Sequence, residues 1–265
     1  MALINLLSSL PDTYKPALIT SSTAILGAFI GAIVAQYLSH RLTLKRERIK
    51  HLGEIYYKLF SPIVFEIYSY IDIRTHFRRG HDINPDVSED LIFSQIFNHV
   101  ESNLMYASPK LKKAFHEVKK SKYSFDGSGF MTQINELLFL LTILEDLYSL
   151  ESDLKIYDEE NINGLINNKI YLIIWALILY ISSDESQALE VVKYKWLLDD
   201  AKLNEKSYKF IKKQYGFFIL TEQKNKKNTF SASNFIQFIK NELIIKQEDK
   251  EMFDEIIQNN IEVLD

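Results

Sequence analysis

The stretch from Ala17 to Leu38, ALITSSTAILGAFIGAIVAQYL, carries no charged residue and constrains this chain more than any other segment. A helix needs about 20 predominantly apolar residues to cross the hydrocarbon core of a bilayer, and this run has that length. A core helix of a water-soluble protein shows one apolar stripe and a polar opposite face; here every face is apolar or small. Thr20, Ser21, Ser22 and Thr23 sit near one end, where hydroxyls can bond back to their own helix carbonyls. Gln36 and Tyr37 suit the headgroup region at the other end. The sequence therefore predicts a transmembrane helix over 17–38.

The flanks predict its direction. Only Asp12 and Lys15 precede the run closely, whereas HRLTLKRERIK after it supplies Arg41, Lys45, Arg46, Arg48 and Lys50 against a single Glu47. Basic flanks stay on the cytoplasmic side, so the expected location is the inner, cytoplasmic membrane, single-pass, with the N-terminus outside and the C-terminal body in the cytoplasm. The same five basic residues are candidates for contact with anionic lipid as well as for setting topology. A cleaved signal peptide places its basic region before a shorter apolar core, the reverse of this order. Within the run, Thr23, Gly27, Gly31 and Ala35 recur at a four-residue step, and Ala24, Ala28 and Ala32 form a parallel row. Small residues at that spacing let two helix backbones approach closely in lipid. Self-association into a homo-oligomer through this face is the expectation.

The remaining chain is long enough for one large or two small domains. The whole sequence is 47 % hydrophobic and 25 % charged, with a net charge of −4 that gives no global basic field, so no nucleic acid partner is expected. Cysteine is absent, which excludes disulfides, thiolate chemistry and cysteine-based metal sites. Only 8 glycines and 5 prolines occur, and no proline follows Pro109; such punctuation favours helices over sheets rich in turns. The abundant Lys, Ile and Asn match AT-rich bacterial coding. The expected fold is all-α: one N-terminal transmembrane helix continuing into a cytoplasmic helical bundle of about seven or eight helices.

Four parts are expected: a short extracytoplasmic segment over 1–16, the span over 17–38, a basic juxtamembrane helical connector over 39–77, and a cytoplasmic helical domain over 78–265. Met1 to Leu10 reads as an interfacial segment or as an unstructured lead. Leu38, Leu42, Ile49, Leu52, Ile55, Tyr56, Leu59 and Phe60 keep helical spacing, and Ser61-Pro62 predicts a kink before a second stripe that reaches Phe77. Ser88 opens a helix to about 105, with Leu91, Ile92, Ile96, Phe97, Val100 and Leu104 inward. Ser108 as N-cap with Pro109 at the first helical position predicts a helix to Ser121. FDGSG (Phe125 to Gly129) predicts a turn, followed by a helix from Phe130 to Ile156 that DEENINGL (Asp158 to Leu165) breaks. Ile170 to Ile181 predicts a short, central, buried helix. Ser183 to Leu203 follows as a helix with Trp196 in its inward stripe, and Asn204 to Tyr215 as another, stopped by Gly216. Residues 217–230 read as two short strands or as a helix–loop–helix joint. Ser231 or Ser233 caps a helix to Ile245, and Glu248 to Val263 closes the chain.

No phosphate loop, dinucleotide fingerprint, nucleophile elbow or zincin motif is present. No catalytic residue, metal or cofactor is therefore expected. RERIKH (Arg46 to His51) resembles the Arg-x4-His form found in a class of small helical ribonucleases; the resemblance covers those residues alone and implies a pair that holds a scissile phosphate. Glu47, His51 and Glu54 share one helix face, as metal ligands do and as solvated salt-bridge faces do. Arg74, His76, Arg78, Arg79 and His81, with Asp82, form a group able to grip a phosphate or other ligand. Lysine islands at 110–122 and 206–227 and an acidic final helix form complementary blocks. The layout is similar, in architecture alone, to that of bacterial single-span proteins with helical cytosolic domains, including membrane effectors of anti-phage and stress systems. Three functions follow as expectations, in order: a self-associating membrane effector or signal-responsive component, with a possible cytoplasmic protein partner; a passive membrane scaffold recruiting another protein; and a membrane-tethered ribonuclease.

Overall fold

The apolar run folds within one long helix, α1 (Lys15–Ile55), 41 residues in length with none of its side chains buried. The protein is described by a computed structural model covering residues 11, 13–84, 86–123, 127–216 and 231–261. The chain divides into two compact units, Met1–His51 and Leu52–Asp265; the boundary falls inside the expected connector. Along α1 the hydroxyls of Thr20 and Ser22 donate to the carbonyls of Pro16 (2.8 Å) and Leu18 (2.7 Å), and that of Thr23 to Ile19. These bonds satisfy polar side chains without any water. The helix expected to run on through Leu38, Leu42 and Ile49 does so; all three are exposed, and burial begins only in the second unit, where Leu52 and Ile55 are partly covered and Tyr56, Leu59 and Phe60 fully so.

In the second unit, the described residues form helices and turns with no strand. A π-helical turn, Tyr56–Phe60, comes first, and the Ser61 N–H reaches back five residues to the Tyr56 carbonyl at 2.8 Å. Pro62 has no N–H to continue the ladder, so the helix restarts as α2 (Val64–Arg74), which stops short of Phe77. There follow α3 (Glu89–Ser102), α4 (Pro109–Ser121), α5 (Met131–Leu154), α6 (Glu159–Ser182), α7 (Glu185–Val192), α8 (Glu205–Gln214), α9 (Ala232–Phe238) and α10 (Gln247–Asn260). Among the described residues this unit therefore has nine α-helices, α2 to α10, against the seven or eight expected.

Local chemistry starts most of them. Ser88, Ser108, Asp158, Asp184, Asn204 and Ser231 each accept an N–H of their helix's first turn, which satisfies a donor the helix itself leaves open. Asp158 overturns the expected break at 158–165. Its carboxylate accepts the Asn161 N–H at 2.9 Å, so the polar stretch opens α6 instead of interrupting the chain. The short helix expected over 170–181 is thus 24 residues long. The real break is the single left-handed residue Lys155 (φ 52°) at the end of α5. There the buried Glu151 carboxylate accepts the N–H groups of Ile156 (3.0 Å) and Tyr157 (3.2 Å).

Helices α5 and α6 pack on each other at the centre; α4 lies on α5, α7 and α8 on α6, and α10 on α7. α6 is long and apolar enough to cross a membrane, yet 67 % of its most apolar stretch is buried within the bundle, as a core helix requires. Phe97, Phe115 and Phe139 fill the side under α3 and α4, with Phe97 and Phe115 stacked at 4.6 Å between ring centroids. Two expected inward residues face solvent. Leu91 is exposed on α3, and Trp196 lies in a 3-10 turn, Lys195–Leu197, because the helix expected to reach Leu203 ends at Val192. Gly216 is required where it stops α8: a Cβ there would sit 2.8 Å from the Lys212 carbonyl oxygen. The expectations for Met1 to Leu10, for Phe125 and Asp126, and for 217–230 fall outside the described residues.

Candidate functional site

The small-residue face of α1 (Thr23, Gly27, Gly31 and Ala35, beside Ala24 and Ala28) is wholly exposed, as are Arg41, Lys45, Arg46, Arg48 and Lys50. Arg46 and His51 are both exposed on the same continuous helix. Five positions of an α-helix turn through about 140° beyond one full revolution, so the two side chains leave on different faces. Among the described residues no group of three His, Asp or Glu stands close enough to hold a metal ion, Glu47, His51 and Glu54 included; Glu54 instead pairs with Lys58 at 2.8 Å.

The arginine cluster is brought together, but around carboxylates of its own chain. Arg79 forks onto Glu89 at 3.0 and 2.6 Å, and Arg74 meets Glu89 at 2.9 Å and also Glu185 from α7. The hydrogen bond from Arg79 holds the Glu89 carboxyl down at about 2. His76 and Arg78 both face Asp82, at 3.8 and 3.5 Å, and His81 is exposed. The strongest cations of this group are therefore committed to tying α2, α3 and α7 together. Beside them stands Glu136 on α5. Burial, with Glu185 and Asp90 adding repulsion, pushes its carboxyl up to about 7 against the pull of Arg74.

That shift fixes a sign. The folded chain holds the Glu136 proton more tightly than the unfolded chain between the ordinary 4.5 and about 7, so folding stability falls as pH rises through that window. Glu136→Gln is expected to stabilise the protein by about 2 kcal/mol at about pH 8 and to change little near pH 4.5. Urea melts at both pH values read the difference.

A second feature of the bundle lies on the other side of α5. Met131, Asn135, Leu138 and Thr142, one helix face by their spacing, floor a groove of about 390 Å3. Lys110, Lys113 and Glu117 on α4 form one wall, and Lys212 on α8 with Glu145 closes the other. Lys110 and Lys113 are exposed and form no salt bridge with a carboxylate of the described chain, Lys110 acting only at longer range on Asp146, and the Asn135 amide makes no hydrogen bond among the described residues. Glu145 accepts from both the Tyr208 hydroxyl and the Lys212 ammonium. Burial pushes the Tyr208 hydroxyl well above its ordinary range, which keeps its proton available for that bond.

No family model, curated protein or solved structure matches this chain.

What the site can do is read from its own residues. Behind Tyr208, Lys169 of α6 is only 1 % exposed. Its Nζ lies 3.0 Å from a Glu205 carboxylate oxygen, 3.9 Å from the Tyr148 ring centroid and 4.1 Å from that of Tyr208. Burial lowers the Lys169 pKa, with Glu205 opposing. A lowered amine is a familiar nucleophile, but this one is sealed by two aromatic faces and a carboxylate, with no room for a reacting atom. It locks α5, α6 and α8 behind the groove. Sequence reasoning passed over it; the signal was a lysine at the inward spacing Leu165, Lys169, Leu172, Ala176. The groove itself has no such signal, since its walls come from three separate helices.

Proposed function

We propose that this protein is a single-span membrane protein, with its amino terminus outside and its helical body in the cytoplasm, that assembles through its span and acts on the membrane when the body receives a signal. The anchoring rests on one observation: a charge-free apolar segment lies in a helix of which no residue is buried. Ile25 is 69 % exposed and Phe29 65 %. Contiguous apolar surface of that extent marks a partner or a membrane, and the basic run at 41–50 supplies the direction.

Assembly is supported by the small-residue face. A Cβ built on Gly27 or Gly31 meets nothing within 4 Å, so no contact among the described residues explains glycine there. Gly27→Leu with Gly31→Leu should leave the helix intact, since leucine is the better helix former by about 1 kcal/mol per site. The detergent-extracted variant is expected to lose its higher-order species on sizing; unchanged oligomers would remove assembly through the span. Membrane potential followed during expression tests the action. Depolarisation or growth arrest that disappears in the same variant supports an effector, and a silent wild-type chain makes it a scaffold.

A further inference from the structure

We infer that the groove between α4, α5 and α8 binds a phosphate monoester carried on a small, partly apolar body, a ligand the size of a mononucleotide. The inference deepens the proposed function by naming the class of signal; the binding itself requires only the groove, not the anchor. Volume sets the scale: about 390 Å3 lies within the range of small-molecule pockets, about 300–1,000 Å3. Charge sets the end that carries phosphate. Lys110 and Lys113 stand one turn apart on α4 and form no salt bridge among the described residues, although Lys110 lies within electrostatic reach of Asp146. Lys212 gives one of its three N–H groups to Glu145 and keeps the others. Three ammonium groups around one opening suit a dianion, since hydrogen bonds between charged groups are the strong ones.

The floor suits a body rather than a bare ion. Leu138, Met131 and Ala114 offer apolar surface, and between them the Asn135 amide presents two donors and an acceptor with no partner among the described residues. The Thr142 hydroxyl spends its proton on the Leu138 carbonyl at 2.7 Å and keeps its lone pairs for a ligand donor. Glu117, on the Lys113 side, would repel a second anionic group and accept from an amino or hydroxyl group. An ester with its charge at one end and hydrogen-bonding groups on a flat body meets each of these in turn; inorganic phosphate meets only the lysines.

The test is calorimetry on the full chain in detergent with AMP, GMP, CMP, UMP and inorganic phosphate as probes. At least one nucleotide should bind saturably, one per chain, and more tightly than phosphate. Lys110→Ala with Lys113→Ala, both at exposed positions, should weaken it about tenfold or more. Asn135→Ala should weaken it about threefold while changing no charge. Lys112→Ala with Lys120→Ala removes the same charge from α4 outside the groove and should leave affinity unchanged. No saturable nucleotide binding, an equal loss in the control pair, or phosphate binding as tightly as every nucleotide each overturns the proposal. Flotation with lipid would be untouched by any of these results, so failure of the ligand and failure of the anchor are told apart.

Discussion

Exchanging Ile25 and Ile30 for aspartate should release the full chain from the membrane fraction into the soluble one. On insertion scales an aspartate at the centre of a span costs about 3 kcal/mol and an isoleucine returns about 0.5, so the pair shifts the balance by about 7 kcal/mol. The contested size of such penalties runs upward from that figure, not down. The two isoleucines are 69 % and 59 % exposed, so neither substitution removes a packing contact, and the melting of the helical body should not change. Arg41, Lys45, Arg46, Arg48 and Lys50 would still be drawn to anionic lipid at about 1 kcal/mol each. Washing in about 1 M salt, which shortens the screening length to about 3 Å, removes that residual attraction. Ile25→Leu with Ile30→Leu is the matched control and should stay with the membrane. A wild-type chain in the aqueous supernatant, or an Asp variant that still floats with lipid, ends the anchoring proposal and the effector reading with it.

Where the chain was legible, the physics was local. Ser108 before Pro109 gives the start of α4, because a side-chain cap and a missing N–H act within one turn. Pro62 marks the π-helical turn before α2 for the same reason. Asp158 shows the limit: a polar stretch containing Gly164 reads as a break, and only the orientation of one carboxylate makes it the beginning of α6. Trp196 was misread because a 3-10 turn changes the period on which an inward stripe depends.

The site was less legible, because its partners meet across the fold. Arg74 and Arg79 announce themselves as a basic cluster, but Glu185 lies 111 residues from Arg74 and turns the cluster from a ligand grip into an internal tie. Tyr148, Lys169 and Tyr208 sit on three helices, and no window of sequence contains them together. The lysine island at 110–113 was visible; that Lys212 stands across a groove from it was not.

Glu205→Ala is expected to cost the folded body about 3–5 kcal/mol, because it leaves the Lys169 ammonium buried without its carboxylate. The two partners of this pair are not equivalent. Glu205 is partly exposed and has a second cation, Lys209, at 3.5 Å. Lys169 is enclosed, and among the described residues its remaining attractions would be the faces of Tyr148 and Tyr208, with Glu145 farther off. Lys169→Met, which keeps an unbranched chain of similar length against those rings, should therefore cost only about 1 kcal/mol. In the double variant nothing charged is left stranded, so it should be more stable than Glu205→Ala alone by about 2 kcal/mol or more. pH gives an independent check. Lys169 has a folded pKa below the ordinary 10.5, so between the two values the unfolded chain binds the extra proton and stability rises with pH. Loss of Glu205 lowers the folded value further, so the deficit of Glu205→Ala should shrink as pH rises toward the ordinary lysine value. A deficit that is flat across that range, or a Lys169→Met variant as damaged as Glu205→Ala, would show that the lysine is held by its packing and not by the charge facing it.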